Sequence, residues 1–213
     1  MNMNKNIENA LQWRYATKDF DPNKKISNQD LATLKQSLLL APSSFGLQPW
    51  KFVFVENAEL RKKLTSASWG QTQIENSSHL LVICAKTDID AQYVQHYIDH
   101  IAKVRNIPVA ALAEYNNLMV GFVGRLTPEQ KTIWMQKQCY IALGELLAAA
   151  ALIQVDACPM EGFDAAQYNE ILSLKASGYN ATVVCALGYR SENDAMAHYT
   201  KVRFPEDEMF LTI

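Results

Sequence analysis

Cations stand in short clusters toward both ends of this chain: Arg14 and Lys18 in R-Y-A-T-K, and Lys201 and Arg203 in K-V-R. Chain ends fray unless something ties them down. Two cationic clusters from opposite ends of one domain suit a shared anion. A phosphate is held best by several charge-assisted donors, and arginine supplies them as a planar fork. Taken singly, Arg14 and Lys18 are only a solvated edge with like charges four apart. Joined to Lys201 and Arg203 they read as a clamp. Pro42-Ser43-Ser44, Gln48-Pro49-Trp50 and Pro159-Met160-Glu161-Gly162-Phe163-Asp164 lie between the two clusters. Gly162 would let the backbone approach a ligand closely.

Other chemistries are poorly supported. His96 and His100 are four apart beside Asp99, a metal-ligand spacing, but no third ligand and no H-E-x-x-H follow. A solvated helix face is the better reading, and no metal is expected. His79 precedes an apolar run and reads as a satisfied core histidine. No G-x-G-x-x-G offers a Rossmann site and no G-x-S-x-G a nucleophile elbow. Cys84, Cys139, Cys158 and Cys185 form no C-x-x-C pair and lie among apolar neighbours, as small hydrophobes do. That usage fits a reducing cytoplasm.

The 213 residues suffice for one domain with a full core, and residues 1–213 are read as one unit. Hydrophobic residues make up 49% and charged residues 20%, as in soluble globular proteins. A net charge of −2 gives no global basic field for nucleic acid. Met1–Ala10 has no apolar stretch of the signal-peptide kind, and Leu146–Ile153 is too short to span a bilayer. Neither nucleic acid nor membrane is an expected partner.

The elements that must position these residues can be drafted from pattern. Ile7, Ala10 and Leu11 predict an opening helix to Trp13. Ser27-Asn28-Gln29-Asp30 resembles a capping box, and Leu31, Leu34 and Leu38 share the helical face that follows, closed by Pro42. Trp50–Val55, Leu80–Ala85 and Thr182–Leu187 read as strands, with Trp50 a core anchor. Residues 57–67, 88–106, 109–119 and 165–174 read as helices. Residues 121–128 form a break. Thr127 and Pro128 then open a long helix to Ile153. Its stretch Leu146–Leu152 is apolar all round, a mark of burial that in a chain this size often means a subunit interface. Three strands are few, and one more is expected, placed in the tail. The class is α+β.

Four motifs in order make the chain recognisable: R-x-x-T-K-x-F-D at Arg14–Asp21, P-S-S-x-x-x-Q-P-W at Pro42–Trp50, P-M-E-G-F-D at Pro159–Asp164, and K-x-R-x-P at Lys201–Pro205. Over nearly its whole length the chain resembles the oxygen-insensitive NAD(P)H nitroreductase and flavin reductase family. Each motif alone is weak; four in order are specific. The resemblance implies an α+β fold with a central mixed sheet flanked by helices, and a homodimer with two FMN sites at its interface. Arg14, Lys201 and Arg203 would grip the phosphate, with Tyr15 and Ala16 beside them. Lys201 and Arg203 are expected to do little else. Lys18 would sit by the pyrimidine edge of the isoalloxazine. Glu161 and Gly162, reached through Pro159 and Met160, would offer backbone N–H groups near N5 and O4. Pro42, Ser43 and Ser44, with Gly46, would come from the partner subunit and cover the flavin. Phe122 would line the substrate pocket above it, with core packing an equally strong reading.

The chain departs from the family's pattern in places. Well-known members carry Ser at Ala16 and Asn at Gly46, and the family often has Asn near Gly70 and Lys near Gln73. Here Gln71 and Gln73 are the groups available to the flavin's polar edge, and Lys18 is the only cation there. The implied activity is hydride transfer from NAD(P)H through flavin N5 to nitroaromatics, quinones or related acceptors. With one pocket for donor and acceptor, kinetics should be ping-pong. No side chain stands out as catalytic, so water would supply protons. Rival readings on the same scaffold are a flavin or pterin reductase, a flavin-fragmenting or dehalogenating enzyme with residues 93–124 as its lid, and a non-enzymatic FMN carrier.

Overall fold

Continuous apolar runs build the centre of the molecule, a computed structural model that describes residues 3–213. Strands β1 (Trp50–Val55), β2 (His79–Lys86), β3 (Asp156–Met160) and β4 (Tyr179–Gly188) form one sheet in the order β1-β2-β4-β3, every neighbouring pair antiparallel. The four-stranded sheet is therefore antiparallel where a mixed one was expected; a parallel contact occurs outside it, as an isolated bridge from Ala16 to Ala157 at the β3 edge.

In β2 and β4 both side-chain sets are buried, which is why these strands read as continuous apolar runs. Leu81, Ile83, Val183, Cys185 and Leu187 face one core. Leu80, Val82, Cys84, Val184 and Ala186 face the other. Helices α1 (Met3–Trp13), α2 (Asn28–Leu40), α3 (Ala58–Ser66) and α4 (Gln73–Asn76) come first in the chain. They are followed by α5 (Ala91–Arg105), α6 (Ala113–Arg125), α7 (Pro128–Leu152), α8 (Ala165–Ile171) and α9 (Glu206–Met209). Leu34 and Leu38 of α2 and Met135, Cys139 and Leu146 of α7 fill the first core. Leu64 of α3, Ile74 of α4 and Tyr168 of α8 fill the second.

The predicted starts hold because each cap is made. The Ser27 hydroxyl accepts the Asp30 N–H at 3.0 Å. At α7, Thr127 accepts the Gln130 N–H, and the Gln130 side chain returns to the Thr127 N–H at 2.9 Å, with Pro128 at the first turn.

Two expectations change. The fourth strand is Asp156–Met160, not a piece of the tail. Pro159 hid it, and is tolerated because β3 lies at the sheet edge. The predicted break over residues 121–128 begins later, since α6 runs to Arg125 and carries Gly121 and Gly124 inside it. Of the all-apolar stretch of α7, Leu146, Ala150 and Ala151 are buried within the chain itself, whereas Leu152 stays exposed.

Candidate functional site

The segment carrying Arg14–Lys18 leaves α1 and is suspended between two carboxylates. Asp194 accepts the Tyr15 hydroxyl at 2.9 Å, the Lys18 N–H at 2.9 Å, the Asp19 N–H at 3.2 Å and the Met196 N–H at 3.1 Å. Burial alone would raise its pKa, but these donors outweigh it and hold the group below the ordinary value. Burial and the bond to Asp194 push the Tyr15 hydroxyl up. Asp156, buried at the start of β3, takes Arg190 through Nε at 2.9 Å and Nη2 at 2.6 Å, and the Thr17 hydroxyl at 3.3 Å. The Arg190 guanidinium lies 4.3 Å from the Trp13 ring centre and 4.6 Å from that of Tyr15. With Ala16 bridged to Ala157, the segment is fixed against the sheet edge.

This segment forms one wall of a cleft of about 740 Å³ lined by Arg14, Tyr15, Ala16, Lys18, Lys201 and Arg203. The structure thus brings the two terminal clusters together. Among the described residues, no carboxylate ion-pairs with Arg14, Lys201 or Arg203. Burial and the charge of Arg203 lower the Arg14 pKa; burial, Arg14 and Arg203 lower that of Lys201. Three cations that destabilise one another with no acid among them are what a phosphate would neutralise. The expectation that Lys201 does little besides grip an anion is corrected. Its ammonium donates to the Leu11 carbonyl at 2.5 Å and to the Arg14 carbonyl, stoppering the end of α1. Arg203 donates to the Val202 carbonyl at 2.6 Å and stays largely exposed.

A second group of residues adjoins the open end of β3. Gln71 Nε2 donates to the Gly162 carbonyl at 2.7 Å. A side chain at Gly162 would meet Trp69 at 2.8 Å and Gln71 at 2.9 Å, so anything larger than glycine must push these side chains aside. The Glu161 carboxylate accepts the Tyr140 hydroxyl from α7 at 2.5 Å, which, after burial, helps push Tyr140 up to about 12. Among the described residues nothing accepts from the N–H groups of Glu161 and Gly162. Gln73 is buried at the start of α4, and its amide has no hydrogen-bond partner among the described residues. The free N–H groups of Glu161 and Gly162 suit the acceptor edge of a planar heterocycle, though neither they nor Gln71 and Gln73 line the cationic cleft. Pro159 is half-buried on β3, and the Met160 side chain points into the second core, which leaves only its backbone for a ligand.

The Pro42–Gly46 loop does not line the cationic cleft. Ser44 donates its N–H to Gln138 Oε1 at 2.8 Å, and the Ser43 hydroxyl accepts the Gln48 N–H at 2.9 Å. Three tyrosines press on the loop from α5 and α6. Tyr93 donates to the Leu47 carbonyl at 2.8 Å and Tyr115 to the Phe45 carbonyl at 2.9 Å. The Tyr97 hydroxyl fills the space a Cβ at Gly46 would need, at 2.1 Å, and Gly46 has φ +74°. Phe122 is not in the cleft either. Its ring packs between Phe45 at 5.1 Å and Trp134 at 5.6 Å, against the first core.

Sequence reasoning missed Asp156, Asp194, Arg190, Tyr140, Gln138 and Trp69. Each acts through a partner far away in sequence and belongs to no repeating pattern. Among the described residues no group of three metal-ligating side chains occurs, and no helix is long and apolar enough to cross a membrane.

Comparison with known proteins adds to this geometry. The Nitroreductase family model matches residues 11–189. A Staphylococcus haemolyticus protein provisionally named an NAD(P)H nitroreductase is 38% identical, covering 97% of each chain. A Staphylococcus epidermidis protein of the same provisional name is 38% identical over 97% of this chain and 96% of its own. Among solved structures, a Bacillus subtilis protein provisionally titled a nitroreductase superposes with TM-score 0.87 at 21% identity, covering 99% of this chain and 100% of its own. One from Exiguobacterium sibiricum, solved in complex with FMN, gives 0.82 at 19% identity over 97% of each chain.

Proposed function

The chain belongs to the nitroreductase family of oxidoreductases, and from that premise we propose that it is an FMN-dependent NAD(P)H oxidoreductase. The cluster of Arg14, Lys201 and Arg203 without a carboxylate partner carries the reading. Bound FMN would supply the redox chemistry, taking a hydride from the nicotinamide and passing it to a small aromatic or quinone acceptor.

The chain's own residues supply placement. Arg14, Lys201 and Arg203 would hold the phosphate. The unpartnered N–H groups of Glu161 and Gly162 would orient the flavin's acceptor edge, and Gln71 and Gln73 its polar groups. Lys18, exposed on the rim of the cleft, would favour negative charge on the ring system. A pocket without a separate nicotinamide fold must take donor and acceptor in turn.

The reading includes a homodimer in which Pro42, Ser43, Ser44 and Gly46 cover the partner's flavin. Exposed apolar side chains support it: Met3, Ile7 and Leu11 on α1, and Phe204, Phe210, Leu211 and Ile213 in the tail. The test is chromatography of the cofactor released on denaturation, light scattering of the flavin-loaded protein, and double-reciprocal plots with either nicotinamide against nitroaromatic and quinone acceptors. FMN, a particle of twice 24.0 kDa and parallel lines are expected. FAD, no flavin, or intersecting lines would contradict it.

A further inference from the structure

A carboxylate beside a flavin poses a problem that this chain solves with Tyr140. Glu161 and Gly162 present two free backbone donors, the useful feature of this turn. The Glu161 side chain brings a negative charge to the same place. An anion near the ring opposes reduction, because the reduced flavin gathers negative charge. The carboxylate is not left to wander. The Tyr140 hydroxyl, on a different element 21 residues away, donates to Glu161 Oε1 at 2.5 Å. That length is typical of a charge-assisted O–H···O⁻ bond, among the stronger side-chain contacts. Tyr140 sits on the long, capped α7, a rigid platform. On the other flank, Gln71 grips the Gly162 carbonyl and Trp69 fills the space a side chain at Gly162 would need. The dipeptide is therefore held from both sides, its charge on the α7 side.

We propose that Tyr140 is a positioning residue that parks the Glu161 carboxylate against α7 and so keeps the flavin's reduction potential high. This rests on the FMN reading above. Its consequence is a coupling between two side chains that a purely structural contact would not show in a potential. With the hydroxyl gone, the carboxylate is released from α7 and free to swing back over its own backbone N–H groups, where the FMN reading puts the ring. Neutralising it should then matter far more than it does in the parent.

The test is spectroelectrochemical titration of bound FMN in the parent, Tyr140→Phe, Glu161→Gln and the double variant, with FMN affinity measured by fluorescence in each. In Tyr140→Phe the affinity for reduced FMN should fall about tenfold relative to oxidised FMN, a drop of about 30 mV for a two-electron couple. Glu161→Gln alone should change that ratio less than about threefold. The double variant should match Glu161→Gln, which gives the cycle a clear interaction term. An unchanged potential in Tyr140→Phe overturns the proposal, as does a drop that persists when Glu161 is Gln. Glu161→Gln shifting the ratio equally in both backgrounds also overturns it, even if Tyr140→Phe cannot be purified and Tyr140→Leu must serve as the background. A parent that binds no FMN overturns the FMN reading along with it; a parent that binds FMN isolates the failure to Tyr140.

Discussion

Tyr15 and Asp194, 179 positions apart in the chain, meet at 2.9 Å, hydroxyl to carboxylate. The same carboxylate takes the backbone N–H groups of Lys18, Asp19 and Met196. One acid from the C-terminal quarter thereby sets the course of the N-terminal segment that presents Arg14 and Lys18.

Asp194→Ala should lower stability by about 3 kcal/mol in denaturant unfolding, because four donors lose one charged acceptor. Asp194→Asn, which keeps an acceptor oxygen, should lose less. The folded-state pKa of Asp194 lies below its ordinary 3.8. Its contribution is therefore present above that value and drains away as pH falls through the folded pKa. Acid unfolding of the parent should show this loss, and Asp194→Asn should show a shallower slope at the same pH.

Arg203→Ala should weaken FMN binding roughly ten- to a hundred-fold, the loss of one hydrogen bond to a charged group. Riboflavin, which lacks the phosphate, should bind nearly as before. Lys201→Ala should weaken both ligands, since its ammonium also closes α1 on the Leu11 and Arg14 carbonyls. Titration of apoprotein with both flavins separates the two residues; equal losses for Arg203→Ala would refute its assignment to the phosphate.

The lowered pKa of Lys201 makes its charge a burden on the apoprotein. The folded state sheds this proton before the unfolded state does. Apoprotein stability should therefore rise as pH climbs through the lowered value toward the ordinary 10.5. Inorganic phosphate at neutral pH should raise the apoprotein's melting temperature by mass action, and Arg203→Ala should blunt that rise. Calorimetry at several phosphate concentrations checks both.

Gly162→Ala forces a methyl group to within 2.8 Å of Trp69 and 2.9 Å of the Gln71 amide. Overpacking of this kind costs about 1–3 kcal/mol. Trp69 is 76% exposed, so Trp69→Ala should cost little alone and should recover part of the loss when combined. Thermal melts of the three variants decide it; no recovery in the pair would mean that the Gln71 contact dominates.

What the sequence made legible was local. The caps of α2 and α7 rest on residues three apart, and the cores on the continuous apolar runs of β2 and β4, so both could be read in advance. That the two cationic clusters would meet was legible because Arg14, Lys201 and Arg203 sit in short motifs at opposite ends of the chain. The supports were not legible. Asp156 with Arg190, Glu161 with Tyr140 and Ser44 with Gln138 are joined only by folding, and no periodicity marks either partner. β3 was lost for the opposite reason, because Pro159 argues against a strand unless the sheet order is known. Phe122 looked equally fit for pocket or core; its half-buried ring packs between Phe45 and Trp134 against the first core.

The contact between Gly46 and Tyr97 bears on how this scaffold can diverge. Any residue with a Cβ at position 46 lands on the Tyr97 hydroxyl. An asparagine there, though tolerant of the backbone angle, becomes acceptable only after position 97 has shrunk or its ring has swung aside. The two positions are thus coupled: a side chain at 46 calls for a smaller residue at 97 or a displaced Tyr97 ring, and a small residue at 97 beside Gly46 leaves a hole where the hydroxyl stood.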